Sequence, residues 1–430
     1  MSIPPVNPVS SADRPTWDLY SVCVHCGLCL TQCPTYRVLG MEMDSPRGRI
    51  YQVLQVDSGR LPIGEAFVTH IDRCLDCRAC ETACPSGVEY GRIVERARAQ
   101  IEQHYRRPWL ERKLRAYFFN RVLADFDVLA RWARRLRFYQ QSGIRTLARS
   151  LGMLKLFGVA KLDSLQPTIE PDFFFRQIGE TYAAEGERRG RVAFLAGCIS
   201  SVAFAELNRA TIRVLQKNGV EVWVPPRQGC CGALHAHAGF REQARVLARR
   251  NIDAMLRDDV DAIVTNAAGC GSTLKEYADL LSADTAYAGK AHTFGGKVRD
   301  VTEYLAALGL RPLPAKRAQR VTYQDPCHLA HGQRVRSAPR QLLAALGAHL
   351  VEMNHSDYCC GSAGVYNVVQ NKLSMQILDR KMDDVAATSA DVVATANVGC
   401  MLQLRAGVAQ RGLNLQVRHV IELLDAAYSA

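Results

Sequence analysis

No stretch of the 430-residue chain approaches the roughly 18 consecutive apolar residues that a membrane-spanning helix needs. The N-terminal stretch MSIPPVNPVSSADRPTWDL lacks the basic and apolar regions of a secretion signal, so the protein is expected to fold and stay in the cytoplasm. Gly-x-Gly-x-x-Gly, a Walker-type loop, His-Glu-x-x-His and a nucleophile elbow are all missing, and no flavin, nicotinamide or nucleotide site is expected on this chain. Nor is the composition that of a disordered or fibrous chain. With 48% hydrophobic and 22% charged residues it is that of a globular protein of several domains.

What the chain has in excess is cysteine. Sixteen are too many for a reducing compartment to hold as disulfides, so thiolates at regular spacing read as metal ligands or redox groups. Every one falls in a spaced motif. The strings CVHCGLCLTQCP, from Cys23 to Pro34, and CLDCRACETACP, from Cys74 to Pro85, both read Cys-x2-Cys-x2-Cys-x3-Cys-Pro. In that run three thiolates wrap one 4Fe-4S cube and the fourth reaches across to its neighbour, while the proline turns the chain away. By this logic Cys23, Cys26, Cys29 and Cys84 hold one cluster, and Cys74, Cys77, Cys80 and Cys33 hold a second beside it. Paired tetrahedral zinc sites are the competing reading, which two identical four-cysteine runs disfavour.

The remaining eight cysteines lie in an internal duplication. One copy runs from RVAFLAGC, ending at Cys198, through Cys230-Cys231-Gly232 to Cys270; the other runs from RVTYQDPC, ending at Cys327, through Cys359-Cys360-Gly361 to Cys400. The first interval is 32 residues in both copies, and the second is 39 or 40. Each copy orders a strand (residues 191–196; 320–324), a helix, a second strand (220–224; 348–353), the cysteine pair, a long helix and a third strand. Alternating strands and helices imply parallel sheets with right-handed crossovers, and the cysteines would then gather past the strand ends. Four convergent thiolates suit a 4Fe-4S cluster or zinc; small buried core cysteines are the alternative. His25, His235, His237, His328 and His331 lie near these motifs and read as ligands or proton carriers or, for most of them, as ordinary loop or core histidines; His328 and His331, beside Cys327, are the ones to test.

The net charge of +12 is concentrated. Between Arg106 and Lys161 stand fourteen Lys or Arg against three acids, so a general nucleic-acid-binding surface is not expected. This stretch, with Pro108, Gly143, Gly152 and Gly158 as helix interruptions, mixes arginine with aromatics and leucine. It suits an anionic membrane surface with Trp109, Phe118, Phe119, Trp132 and Phe138 at the headgroups, a solvated basic face, or a docking face for a partner subunit.

Together these motifs resemble the iron-sulfur subunit of glycolate oxidase (glycolate dehydrogenase). The likeness spans nearly the whole chain: CVHCGLCLTQCPTY, DSPRGRIY, DRCLDCRACETACPSGVEY, GCCGA, RRNIDAM, NAAGCGSTLKEY, CCGSAGVY, TANVGC and RHVIELL. The resemblance implies an oxidoreductase complex in which FAD-containing partner subunits oxidise glycolate to glyoxylate. Electrons would pass through the clusters of this chain to a quinone at the cytoplasmic face of the inner membrane. Iron-sulfur subunits of lactate and glycerol-3-phosphate dehydrogenase complexes, and heterodisulfide reductase with its thiol-disulfide chemistry, share the architecture. Heterodisulfide reductase closes each repeat with Cys-x2-Cys, whereas Thr273 and Gln403 stand at those positions here. That departure leaves an ordinary 4Fe-4S cluster, zinc or no metal at each repeat. The expected fold class is α+β multidomain. An α-helical two-cluster ferredoxin domain (1–105) and a basic helical connector (106–188) precede duplicated α/β parallel-sheet cysteine-rich domains (189–318 and 319–430).

Overall fold

Short helices and irregular loops carry the first eight cysteines. The computed structural model describes residues 13–156, 163, 166–314 and 318–429; Gly158 lies outside them. The longer helices of this region are Pro46–Asp57, Glu65–Asp72 and Tyr90–His104. The DSPRGRIY string is the start of the first. Ser45 caps it by accepting the Gly48 N–H at 2.9 Å, and Pro46 stands in its first turn, where no backbone donor is needed. Phe67, Ile71, Ile93, Val94 and Ile101 form the small core beneath the cysteine loops.

Two sheets follow. In the first, β1 (Thr181–Tyr182), β2 (Gly190–Phe194), β3 (Val220–Trp223), β4 (Ala262–Thr265) and β5 (Val298–Asp300) lie in the order β1-β3-β2-β4-β5. Only β1 is antiparallel. In the second, β6 (Arg320–Tyr323), β7 (His349–Leu350), β8 (Val392–Thr395) and β9 (Gln416–His419) are parallel in the order β7-β6-β8-β9. The orders β3-β2-β4-β5 and β7-β6-β8-β9 correspond strand for strand, and β4 and β8 are buried throughout, as central strands covered on both faces must be. The expected α+β arrangement is what forms.

The strand expected over residues 348–353 is shorter. β7 lies at the sheet edge and pairs only with β6. After Val351 donates to the Val321 carbonyl, the chain turns out so that Glu352 reaches Arg340 at 2.6 Å.

The repeats clasp each other reciprocally. The Ala205–Lys217 helix of the first packs on Val420–Tyr428 of the second, and Val301–Leu308 packs on Ser337–Ala345. Arg213 pairs with Asp425 at 2.6 Å across the first contact. Both repeats also end on the same device. Asp300 and His419 cap their helices in capping boxes completed by Glu303 and Glu422.

In the connector, Trp109–Tyr117 and Phe126–Gln141 are helices, and Gly143 takes a left-handed φ of 80° to start Ile144–Ser150. Trp109, Trp132 and Phe138 are exposed. Phe119, which the membrane reading places at headgroups, is buried: its ring stacks on Phe240 at 4.6 Å, and its carbonyl faces His235 Nε2 at 2.7 Å. Phe118 packs against the same core. A helical turn with wider spacing over Phe118–Val122 rotates these two rings inward.

Candidate functional site

The two ferredoxin-type loops share one backbone pattern. The residue before the second cysteine and the residue after it are left-handed in both: His25 (φ 54°) and Gly27 (85°) in one, Asp76 (52°) and Arg78 (60°) in the other. This winding curls successive thiols toward a common centre. Cys33, Cys74, Cys77 and Cys80 line one small cavity together with Thr35, Arg49 and Tyr90. Cys33 has thus left its own run and joined the second loop. Cys23, Cys29 and Cys84 pack against the same small core, and Cys26 is exposed.

Donors and a cation surround that cavity. The Asp76 N–H reaches Cys74 Sγ at 3.3 Å, and the Tyr90 hydroxyl lies 3.6 Å from it. Arg49 is fully buried; it donates to the His70 carbonyl at 2.7 Å, to Thr35 Oγ1 at 3.1 Å and to Asp44 at 3.4 Å. Burial, followed by the proximity of Cys327, pushes the Cys77 thiol well up, and burial with Cys77 and Glu81 does the same to Cys80. Four thiols lining one cavity, with amide and hydroxyl donors beside them, are the donor set of a 4Fe-4S cluster, so the residues present fit one.

In the repeats the thiols converge at the carboxyl ends of the strands. Cys230 lies 3.5 Å from Cys198, and Cys231 lies 3.1 Å from Cys270. In the second repeat the Cys359 thiol neighbours those of Cys327 and Cys360, and Cys360 neighbours Cys400. Cys270 and Cys400 fall in the first turns of the Ala268–Lys275 and Val398–Arg411 helices, where the helix dipole favours a thiolate. The glycine after each pair must be glycine: Gly232 and Gly361 have φ of 83° and 89°, and a Cβ on Gly361 would meet the Ser374 carbonyl at 2.6 Å. Thr273 and Gln403 are buried and hydrogen-bonded to neighbours, so neither repeat gains a fifth thiolate.

The ferredoxin-type part meets the second repeat directly. Leu75, Cys327, Cys359 and Tyr366 form one apolar cluster with Cys77 against it. His328 Nε2 lies 2.8 Å from the Asp76 carbonyl, and His331 Nδ1 lies 2.9 Å from Thr82 Oγ1. These two histidines clamp the second cysteine loop onto the turn after Cys327. Toward the first repeat the contact is ionic instead. Arg78 pairs with Glu276, while His237 Nδ1 lies 2.8 Å from Glu95 and 3.0 Å from Asp76. His235 is held in the core by Phe119, and His25 is exposed.

Sequence reasoning missed Arg49, Tyr90, Glu95 and Lys381. The DSPRGRIY string was the one visible signal for Arg49. Tyr90 closes the DRCLDCRACETACPSGVEY string and reaches Cys74 within it, while Glu95 and Lys381 act through distant partners that no local pattern reveals.

A helical domain with two four-cysteine loops, joined to paired cysteine-rich α/β domains, defines an iron-sulfur electron-transfer protein. Known families agree in position. A "4Fe-4S dicluster domain" matches residues 20–88, a "Cysteine-rich domain" matches 192–275 and 321–405, and a "Glycolate oxidase iron-sulfur subunit, linker region" matches 110–166. The chain is 39% identical over 410 residues to the probable glycolate oxidase iron-sulfur subunit of Bacillus subtilis, covering 94% of this chain and 92% of that one. It is 34% identical to the glycolate oxidase iron-sulfur subunit of Escherichia coli, over 94% and 93%. Lactate utilization protein A of Geobacillus kaustophilus is 28% identical over 55% of this chain and 99% of its own length. The chain belongs to the glycolate oxidase iron-sulfur subunit family: it carries 4Fe-4S clusters and serves as the electron-transfer subunit of an oxidoreductase complex. Among the described residues, no helix is long and apolar enough to cross a membrane.

Proposed function

We propose that this chain carries electrons from an FAD-containing partner that oxidises glycolate to glyoxylate, in the manner of a glycolate dehydrogenase, toward a quinone. Cys23, Cys26, Cys29 and Cys84 hold one cubane, and Cys33, Cys74, Cys77 and Cys80 hold the second. The cavity shared by Cys33 with Cys74, Cys77 and Cys80 is the observation that carries the reading, because a ligand set crossed between the two runs puts two clusters side by side. The shared packing of Cys77 with Cys327 and Cys359 extends the route, so Cys327, Cys359, Cys360 and Cys400 hold a third redox cluster. Cys198, Cys230, Cys231 and Cys270 form a second four-thiol site off this route. The protein's own groups contribute position and potential: amide donors on the sulfurs, and Arg49 beside the second cubane. The substrate site lies on a partner subunit. The test is anaerobic addition of glycolate, lactate or glycerol 3-phosphate to the purified complex. Cluster EPR signals appearing with glycolate alone support the reading; reduction by lactate alone would move the complex to the other substrate.

The complex sits on the cytoplasmic face of the inner membrane through the connector. This reading is supported by exposed Trp109, Leu110, Leu114, Phe138, Leu147 and Leu151 on the most basic stretch of the chain. Flotation with liposomes should require anionic lipid and fail in high salt; salt-independent flotation, or none, contradicts it.

A further inference from the structure

The two repeats correspond element for element, so a difference at equivalent positions isolates what each thiol site needs. The eleventh residue of the helix after each cysteine pair is Asn251 in Arg241–Met255 and Lys381 in Asn371–Ala387. Both are buried. Asn251 ties the first cysteine loop together with neutral hydrogen bonds: it accepts the Gly229 N–H at 2.8 Å and donates to the Cys230 carbonyl at 2.9 Å. Lys381 Nζ does the same work in the second loop, donating to the carbonyls of His355 at 2.6 Å and Ser356 at 3.2 Å, but it adds a positive charge.

That charge has no carboxylate within ion-pair distance among the described residues. Asp384, one turn on, faces His355 at 3.3 Å. Burial lowers the Lys381 pKa below its ordinary value, and Asp384 together with the sulfurs of Cys327, Cys360 and Cys359 works against that loss of charge. An ammonium 2% exposed is costly to bury unless an anion offsets it. Four neutral thiols provide none; four thiolates on a cluster do.

We infer that Lys381 is the counter-charge of the iron-sulfur cluster on Cys327, Cys359, Cys360 and Cys400, and that it raises the reduction potential of that cluster. The inference rests on the proposal that this site holds a cluster. Four thiolates around an oxidised cubane leave a net charge of about −2, and one electron, taken without a proton from the reduced cubane beside Cys77, makes it about −3. A fixed positive charge favours the more negative state. Reduction therefore becomes easier in the second repeat than Asn251 would make it.

The test is an EPR-monitored redox titration of the anaerobically purified full chain, with iron and zinc measured on each sample. Lys381→Gln keeps hydrogen-bond donors and removes the charge, Lys381→Met removes both, and Lys381→Arg keeps the charge. A fall in one cluster's potential in Gln and Met, by at least tenfold in its reduction equilibrium (about 59 mV for one electron), with Arg close to wild type, supports the assignment. Loss of that cluster from both Gln and Met but not from Arg supports the counter-charge role too, since the two neutral variants differ in donors and share only the missing charge. An unchanged potential in Lys381→Gln with full iron overturns it, as does a fall confined to Lys381→Met, which would assign a purely structural role. Wild-type protein with about eight irons and no third signal overturns the underlying cluster proposal instead, and is recognised before any variant is made.

Discussion

His237 joins the ferredoxin-type domain to the first repeat and gives that joint a pH dependence. Its Nδ1 lies 2.8 Å from Glu95 and 3.0 Å from Asp76, both buried. Burial opposes its charge, but the hydrogen bonds and negative charge of Asp76 and Glu95 outweigh burial and lift the imidazole from 6.5 to about 9. Because the folded value lies above the unfolded one, the stabilisation is fully present below pH 6.5 and is lost as pH rises through 9. The gap between the two values corresponds to about 3 kcal/mol. His237→Gln lacks the charge at every pH. Urea unfolding followed by the visible absorption of the clusters should show wild type ahead of the variant by about 3 kcal/mol near pH 6, with the advantage gone near pH 10. An advantage that stays constant across this window refutes the reasoning.

Crossed ligation makes a spectroscopic prediction: Cys33→Ser should perturb the EPR signal of the cluster on Cys74, Cys77 and Cys80, while Cys84→Ser perturbs the other. Arg49→Met leaves Asp44 buried with its partners reduced to His70 and Arg73, at a cost of about 3 kcal/mol or more, and should make the second cubane harder to reduce; unfolding and redox titration read the two effects separately. Gly361→Ala should cost more than Gly232→Ala. The added Cβ meets the Ser374 carbonyl at 2.6 Å in one case and Ala244 at 3.5 Å in the other, on top of about 1 kcal/mol of left-handed strain shared by both. Equal losses on thermal unfolding would contradict this.

The elements that generate the sites were legible because their signals are local. Spacing of Cys23 to Cys33 and of Cys74 to Cys84 marked the ferredoxin-type loops, and two matched intervals marked the repeats. Parallel pairing followed from the alternation of apolar runs and helices, while the order of the strands in each sheet came only from the structure. What stayed hidden depends on contacts across the chain. Phe119 reads as one aromatic among many until a widened helical turn points it at Phe240. Lys381 looks like a solvated helix residue, since the alternation around it does not reveal that its end reaches the His355 carbonyl. Asp76 and Glu95 come together with His237 only because the second cysteine loop docks on the first repeat. The histidines near cysteines read either as ligands or proton carriers or as ordinary loop and core residues; four of the five hold domains or core elements together, and no spacing told which contact each would make.

The most direct measurement is iron, acid-labile sulfide and zinc per chain on anaerobically purified protein, with EPR after dithionite reduction. About twelve irons or more, with magnetically coupled cubane signals, is the predicted result; eight would retain the ferredoxin pair but remove the third cluster. Zinc without iron would contradict the electron-transfer account altogether.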